Sequence, residues 1–349
     1  MRPKKKISQT LLAKELGVSQ ALVSLALNGR SAGINPATYQ RIWDRAISQG
    51  YLPKGMRVES TPDSSRVGQI GYILRAPLRL YIPSTYFGHV QHGLHQELER
   101  LGHRLVFLGA EDELTPAKLR QAFHPSHRLG GVVVLGEVAQ PFMTELCKLT
   151  RRVVAISARY HGFCHSVLGN EPEALTELVR HLVNLGHHRL GWLGGNASLG
   201  RHDARLAALT AALQPLGLSL EPRYTVVLKQ ADRAEGAEAI HALLPLARRK
   251  DFPTAFVTYN TQMAYGAALA LRREGWEVPG QLSLASADVS RLSVEGEGEL
   301  RITGAGTSPD KLGEAAARLV AGEGVPAEGY SDLVLPAPLV VGNSTGPAR

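Results

Sequence analysis

The chain has 349 residues, 44% of them hydrophobic and 20% charged, with a net charge of +8. That length exceeds one ordinary core, and the composition excludes both a disordered chain and, with two cysteines, a disulfide scaffold. Nothing approaches the roughly 18 apolar residues of a membrane span, and the basic start "MRPKKKISQT" lacks the apolar stretch of a secretory signal, so a cytoplasmic protein with no membrane partner is expected.

The charge is unevenly placed. Residues 1–60 hold ten of the 39 Lys and Arg but only three of the 31 Asp and Glu, which leaves the remainder nearly neutral. A small basic unit on a neutral body implies a polyanion partner for that unit alone.

Within that unit, Ser8 is placed to cap a first helix through "QTLLAKEL", which Gly17 ends in the left-handed conformation that glycine accepts. Ser19 caps a second, "QALVSLAL", stopped by Asn28-Gly29. Asn35-Pro36 opens a third that runs to Gly50, with Pro36 at the first helical position. Three short helices with the turn "GVS" between the first two spell a helix-turn-helix. On the second helix Val23, Ala26 and Leu27 share a face that can pack on Leu12, Leu16, Val18, Ile42 and Ala46. Gln20, Ala21, Ser24 and Asn28 share the other, as a recognition helix entering the major groove requires.

These residues resemble the LacI (lactose-repressor/galactose-repressor) family of bacterial transcription regulators. Its signature, A-x-x-x-G-V-S-x-x-x-V-S-x-x-L-N, is matched by "AKELGVSQALVSLALN" from Ala13 to Asn28. The following "NPATYQRIWDRAISQGYLP" is similar to the family's third helix and closing G-Y-x-P. The resemblance implies that Gln20, Ala21 and Leu25 face bases, while Ser19, Ser24 and Asn28 hold phosphates or orient the helix. Ser8 and Arg30 complete the expected DNA-contacting set. It also implies a homodimer on a palindromic double-stranded operator with half-sites about one helical turn apart.

Two departures stand out. Leu25 occupies a position where the family commonly has arginine, the bidentate reader of guanine; leucine can only touch a thymine methyl. After "GYLP" the family continues into a hinge helix whose leucine wedges into the minor groove. Here "KGMRVESTPDSSR" follows, with Ser60 at the wedge position and Pro62 beside it, a poor helix former. The centre of the operator is therefore expected to be bent less than an intercalating wedge would bend it.

From Val67 onward, strand-like runs alternate with amphipathic helices: "VGQIGYIL", a helix from about Phe87, "RLVFLG", a helix near Leu119, "GGVVVLG" and "RVVAIS". A second series holds "RLGWLGG", "TAFVTY" and "LSLASAD". Such alternation predicts parallel sheets covered on both faces. "LERLGHRLVFLG" (98–109) and "LVNLGHHRLGWLG" (182–194) echo each other, which points to two such units. The expected fold is an all-α helix-turn-helix DNA-binding domain followed by an α/β periplasmic-binding-protein-like domain of two doubly wound subdomains. The boundaries read as 1–56 for the DNA-binding domain, 57–66 for an atypical hinge linker and 67–349 for the effector-binding and dimerisation domain. By the resemblance the chain crosses between subdomains three times, giving an N-subdomain of about 67–163 plus 300–324 and a C-subdomain of about 164–299 plus 325–349.

Ligands of doubly wound sheets collect where strand C-termini face a crevice. Residues expected there are Tyr86, Phe87, Ser157, Arg205, Asn260 and Asp288. Arg205 in "RLAAL" matches the family's effector-binding arginine, with Ala208 replacing the usual glycine. Asn260 in "YNTQMAYGAAL" matches an N-D-x-x-A-x-G motif with Thr261 in place of the acid, and Asp288 in "LASADVS" matches a strand-end aspartate. Ser157 stands at another position that is often acidic. Carboxylates and arginine forks suit vicinal hydroxyls, so a sugar is one candidate effector.

Rival readings are a cytoplasmic sugar-binding protein and an α/β enzyme with an accessory DNA-binding module. "NASLG" (196–200) misses the nucleophile elbow at Asn196, "GAG" (304–306) lacks the rest of a dinucleotide fingerprint, and no P-loop is present. "HGFCHS" groups His161, Cys164 and His165, but no second cluster completes four ligands, so no metal is expected. No cofactor and no catalytic residue are assigned. The reading is a repressor of transcription controlled by a small molecule.

Overall fold

The computed structural model describes residues 9–27, 34, 35, 38, 39, 41, 42, 45, 68–75, 86–124, 127, 129–290, 300–324 and 328–349. Ser8, Asn28, Arg30, Pro36, Ala46 and the linker 57–66 lie outside them. The chain divides into two compact units, Met1–Arg66 and Val67–Arg349.

In the first unit, α1 (Gln9–Leu16) and α2 (Gln20–Leu27) meet at an angle of 113°. Gly17 adopts φ +67° and lets the Val18 amide donate to the Ala13 carbonyl at 3.0 Å. Ser19 caps α2, its hydroxyl accepting from the Leu22 amide at 3.1 Å. Leu12, Ala13, Val23, Ala26, Leu27 and Ile42 form the core, with Leu16 and Val18 packed against it. The Arg45–Glu15 ion pair at 2.9 Å and the Arg41 guanidinium on the Leu16 carbonyl at 3.3 Å hold the following segment to α1.

The second unit carries two six-stranded sheets. The first has β1 (Gln69–Leu74) between β2 (Arg104–Ala110) and β3 (Leu129–Leu135), continued by β4 (Val153–Ile156), β5 (His165–Gly169) and β11 (Asp332–Leu335), all parallel. Helices α3 (Tyr86–Arg100), α4 (Pro116–Ala122), α5 (Gln140–Leu149) and α10 (Pro309–Ala321) belong to it. The second sheet runs β12 (Leu339–Val340), β10 (Thr303–Ala305), β9 (Ser283–Ser286), β8 (Ala255–Thr258), β6 (Leu190–Gly194) and β7 (Thr225–Val227). Only β12 is antiparallel to its neighbour. Its helices are α6 (Glu171–Asn184), α7 (Gly200–Leu213), α8 (Arg233–Leu243) and α9 (Thr261–Arg273).

The central strands are buried on both faces, as their unbroken apolar runs require. Val132 to Leu135 and Val153 to Ile156 are fully enclosed, and each Val, Leu and Ile among them contributes roughly 1.5–3 kcal/mol. The chain passes between the sheets three times, but each passage lies farther along than about 163, 299 and 324. It leaves the first sheet after β5, returns after β10 and leaves again after β11. These three strands are short, and a strand of three to five residues is easily read as a loop before a helix.

Each sheet also carries a pair of helices in backbone contact. A Cβ on Gly93 of α3 would strike the Asp310 carbonyl, and one on Gly313 of α10 the Val90 carbonyl. Reciprocally, a Cβ on Gly236 of α8 would strike the Met263 carbonyl, and one on Gly266 of α9 the Arg233 carbonyl.

Candidate functional site

The C-terminal ends of the strands from both sheets bring polar side chains to one crevice. From the first sheet, Ser157 follows β4 with a left-handed φ of 60°, and Tyr86 opens α3. Their hydroxyls lie 3.2 Å apart. Phe87 stands edge-on to Tyr86 with ring centres 5.2 Å apart, and its ring tip lies over Gly136 at the end of β3.

From the second sheet come two arginines one turn apart on α7, Arg201 and Arg205, and a carboxylate neither periodicity nor motif pointed to. Glu171 is the first residue of α6, immediately after the first passage between sheets. One of its oxygens accepts from Arg201 Nε at 3.0 Å and the other from Arg205 Nε at 3.1 Å. Arg201 also donates to the Tyr86 hydroxyl at 3.3 Å and lies over that ring at 5.0 Å from its centre. This contact joins the two subdomains. Burial disfavours the charge on Arg201, but Tyr86 and Glu171 beside it outweigh that and keep the guanidinium protonated well beyond its ordinary range.

Arg205 is almost wholly enclosed, so its charge needs close partners. It donates to the Tyr259 carbonyl, stacks on the Tyr259 ring at 4.8 Å, and places Nη1 3.9 Å from Asp288 Oδ2. Asp288 is held in turn through Oδ1, which accepts from the Thr261 amide (2.8 Å), the Thr261 hydroxyl (2.6 Å) and the Ser286 hydroxyl (3.0 Å). Thr261, standing where an acid was expected, is therefore a partner of the remaining acid. Asn260 caps α9 by accepting from the Met263 amide at 2.9 Å and donates to the Ala231 carbonyl at 2.8 Å. Both ends of its amide are thus used inside the protein.

Of the six residues expected in the crevice, Tyr86 and Ser157 meet directly, and Arg205 and Asp288 meet across 3.9 Å. Phe87 backs Tyr86, and Asn260 serves the helix start. Cys164, by contrast, packs into the core of the first sheet, and burial pushes its thiol up to about 12.

In the first unit, Gln20, Ala21 and Leu25 are exposed on α2, Leu25 by 41%, and Ser24 is half-buried. Leu25 does not belong to the helical core. The Ser19 hydroxyl is occupied as the cap.

A family model for the periplasmic binding protein-like domain matches residues 179–345. The maltose regulon regulatory protein MalI of Escherichia coli is 29% identical over 282 residues, covering 79% of this chain and 78% of that one. The lac repressor dimer bound to operator superposes with a TM-score of 0.64 at 18% identity, covering 98% of this chain and 100% of that one. The regulator CelR in complex with cellobiose gives a TM-score of 0.66 at 19% identity, covering 97% and 100%. The chain resembles regulators of the LacI family in sequence and in fold. It is a DNA-binding transcription regulator with a periplasmic-binding-protein-like body. Among the described residues no single helix is long and apolar enough to cross a membrane.

Of the residues in the crevice, the motifs in the sequence do not point to Glu171 or Arg201. Arg201 had a usable signal, since it sits four residues before Arg205 and so shares its helix face. Glu171 had none, because its partners lie 30 and 34 residues away.

Proposed function

We propose that this chain is a cytoplasmic, homodimeric repressor that reads a palindromic operator through α2 and responds to a small uncharged polyhydroxylated effector, such as a sugar, in the crevice. The observation that carries the effector reading is the chain Tyr86–Arg201–Glu171–Arg205, which spans the two subdomains. Two guanidiniums are balanced there by Glu171 and Asp288. A neutral ligand preserves that balance, and paired carboxylates and guanidiniums suit vicinal hydroxyls. The solved cellobiose complex of CelR supports a sugar in such a body. Phe87, Ser157 and Asp288 are the remaining candidate contacts beside Tyr86 and Arg205, and Asn260 supports the α9 end of the site. No reaction is assigned, since the relatives are regulators.

The test is operator affinity, on a duplex selected from random DNA, with and without candidate sugars. Arg201→Gln should weaken the effector response about tenfold or more, the scale of a lost charged hydrogen bond, and Glu171→Gln, which frees both arginines, should shift it to lower effector concentration, while ligand-free operator affinity stays unchanged in both. A response equal to that of the parent in both variants places the effector elsewhere.

On the DNA side, Gln20, Ala21 and Leu25 face bases and Ser24 a phosphate; Ser8, Asn28 and Arg30 complete the contact set. Leu25 offers only methyl contact, so thymine is preferred at its base pair. Leu25→Arg should move that one position towards G·C by ~1–3 kcal/mol, read by binding-site selection on both proteins. A uniform loss at every position would remove Leu25 from base reading.

A further inference from the structure

The first sheet has an opening at its other end, away from the crevice. Where β4, β5 and β11 begin, a cavity of about 530 Å³ lies between the strand starts and the last turn of α10. That is within the range of roughly 300–1,000 Å³ typical of small-molecule sites. Its floor is apolar: Val154 on β4 and Leu319 and Val320 on α10 are buried there.

The polar lining is built of donors. His165, 5% exposed, has Nδ1 occupied by the Ser331 amide at 3.1 Å, which puts the ring proton on Nε2. The Tyr330 ring packs edge-on against the imidazole, with centres 5.3 Å apart, and fixes its orientation. Among the described residues Nε2 has no protein partner, and neither the Arg151 nor the Arg152 side chain pairs with a carboxylate. Glu328 is the acid of the lining, and it is exposed.

We propose that this cavity is a second ligand site, for an organic anion whose charged group lies on Arg151, Arg152 and His165 and whose apolar part lies on Leu319 and the Tyr330 ring. Guanidiniums bind a carboxylate or a phosphate ester alike through forked charged hydrogen bonds. Burial lowers the pKa of His165, so the ring contributes a neutral Nε2–H donor rather than a third positive charge.

Calorimetric titration of the full chain with phenyl phosphate, inorganic phosphate and phenol tests this, and its outcome is independent of the crevice. Phenyl phosphate should bind once per chain, about tenfold or more tighter than either fragment. The Arg151→Gln/Arg152→Gln double variant, in which only exposed side chains change, should lose about tenfold or more of that affinity with an unchanged melting curve. Arg201→Gln in the crevice should leave it intact. Absence of saturable binding overturns the proposal. So does equal affinity for inorganic phosphate, an unaffected double variant, or a loss caused by Arg201→Gln.

Discussion

The two sheets solve one packing problem with the same residue but secure it differently. In the first, α3 and α10 touch through Gly93 and Gly313; in the second, α8 and α9 touch through Gly236 and Gly266. The α3–α10 contact adds a buried carboxylate. Glu97 accepts from Arg100 at 2.8 Å and 2.9 Å and from Arg318 at 2.6 Å, and His92 meets Asp310 at 3.1 Å. The α8–α9 contact has the Arg233–Gln262 bond at 2.9 Å and Arg233 over the Tyr265 ring at 5.5 Å. The contrast runs parallel to sequence distance. Glu97 and Arg318 are 221 residues apart, Arg233 and Gln262 only 29. Closing the longer loop costs roughly 2 kcal/mol more entropy, and the charged lock sits on the pair that must be recruited from far along the chain.

The largest expected effect tests what the pairs share. Gly313→Ala and Gly266→Ala each push a methyl group into a backbone carbonyl that cannot step aside, and each should cost about 3 kcal/mol in urea unfolding. If either variant keeps the parent midpoint, close glycine contact is not what holds that pair.

The next effect tests what they do not share. The Arg100 and Arg318 hydrogen bonds hold the Glu97 carboxyl down to about 2, below its ordinary 4.5. The unfolded chain therefore takes up this proton first. The contribution of Glu97 is complete above about pH 4.5 and fades as pH falls towards 2. Glu97→Gln should lower the urea midpoint at pH 7 and flatten its decline between those values. A variant profile parallel to that of the parent would detach the acid sensitivity from this lock.

The smallest effect belongs to the second pair. Arg233→Ala removes a half-buried stacking contact and the Gln262 hydrogen bond and should cost about 1–2 kcal/mol, with no change in pH profile. A loss as large as that of the glycine variants would mean that the α8–α9 pair too depends on a side-chain lock.

Much of this organisation is legible in the sequence because it is periodic. The face of α2 that carries Val23, Ala26 and Leu27 inward leaves Leu25 outward, and the unbroken apolar strands announce sheets covered on both sides. Ser19 and Gly17 mark the turn between α1 and α2 by chemistry that acts within a few residues. What escaped depends on contacts between distant segments. Asn260 and Asp288 stand in recognisable motifs, yet Asn260 is spent on a helix cap and Asp288 is held by Thr261 and Ser286. A second carboxylate on the crevice arginines comes from Glu171, which periodicity places merely at the start of an amphipathic helix. β5, β10 and β11 were hidden for the same reason, since short strands are identified by the sheet they complete.

On the proposed reading of the crevice, Glu171 also sets a threshold for sensing. Its carboxylate already occupies Arg201 and Arg205, and Arg201 already reaches Tyr86 on the other subdomain. Any effector that ligates either arginine first has to outcompete this resident acid, and every 1.4 kcal/mol of that competition lowers the observed affinity about tenfold. Such a regulator is deaf to traces of its signal and answers only when the molecule accumulates. Exchanging one carboxylate for an amide would retune that concentration without touching a single DNA contact.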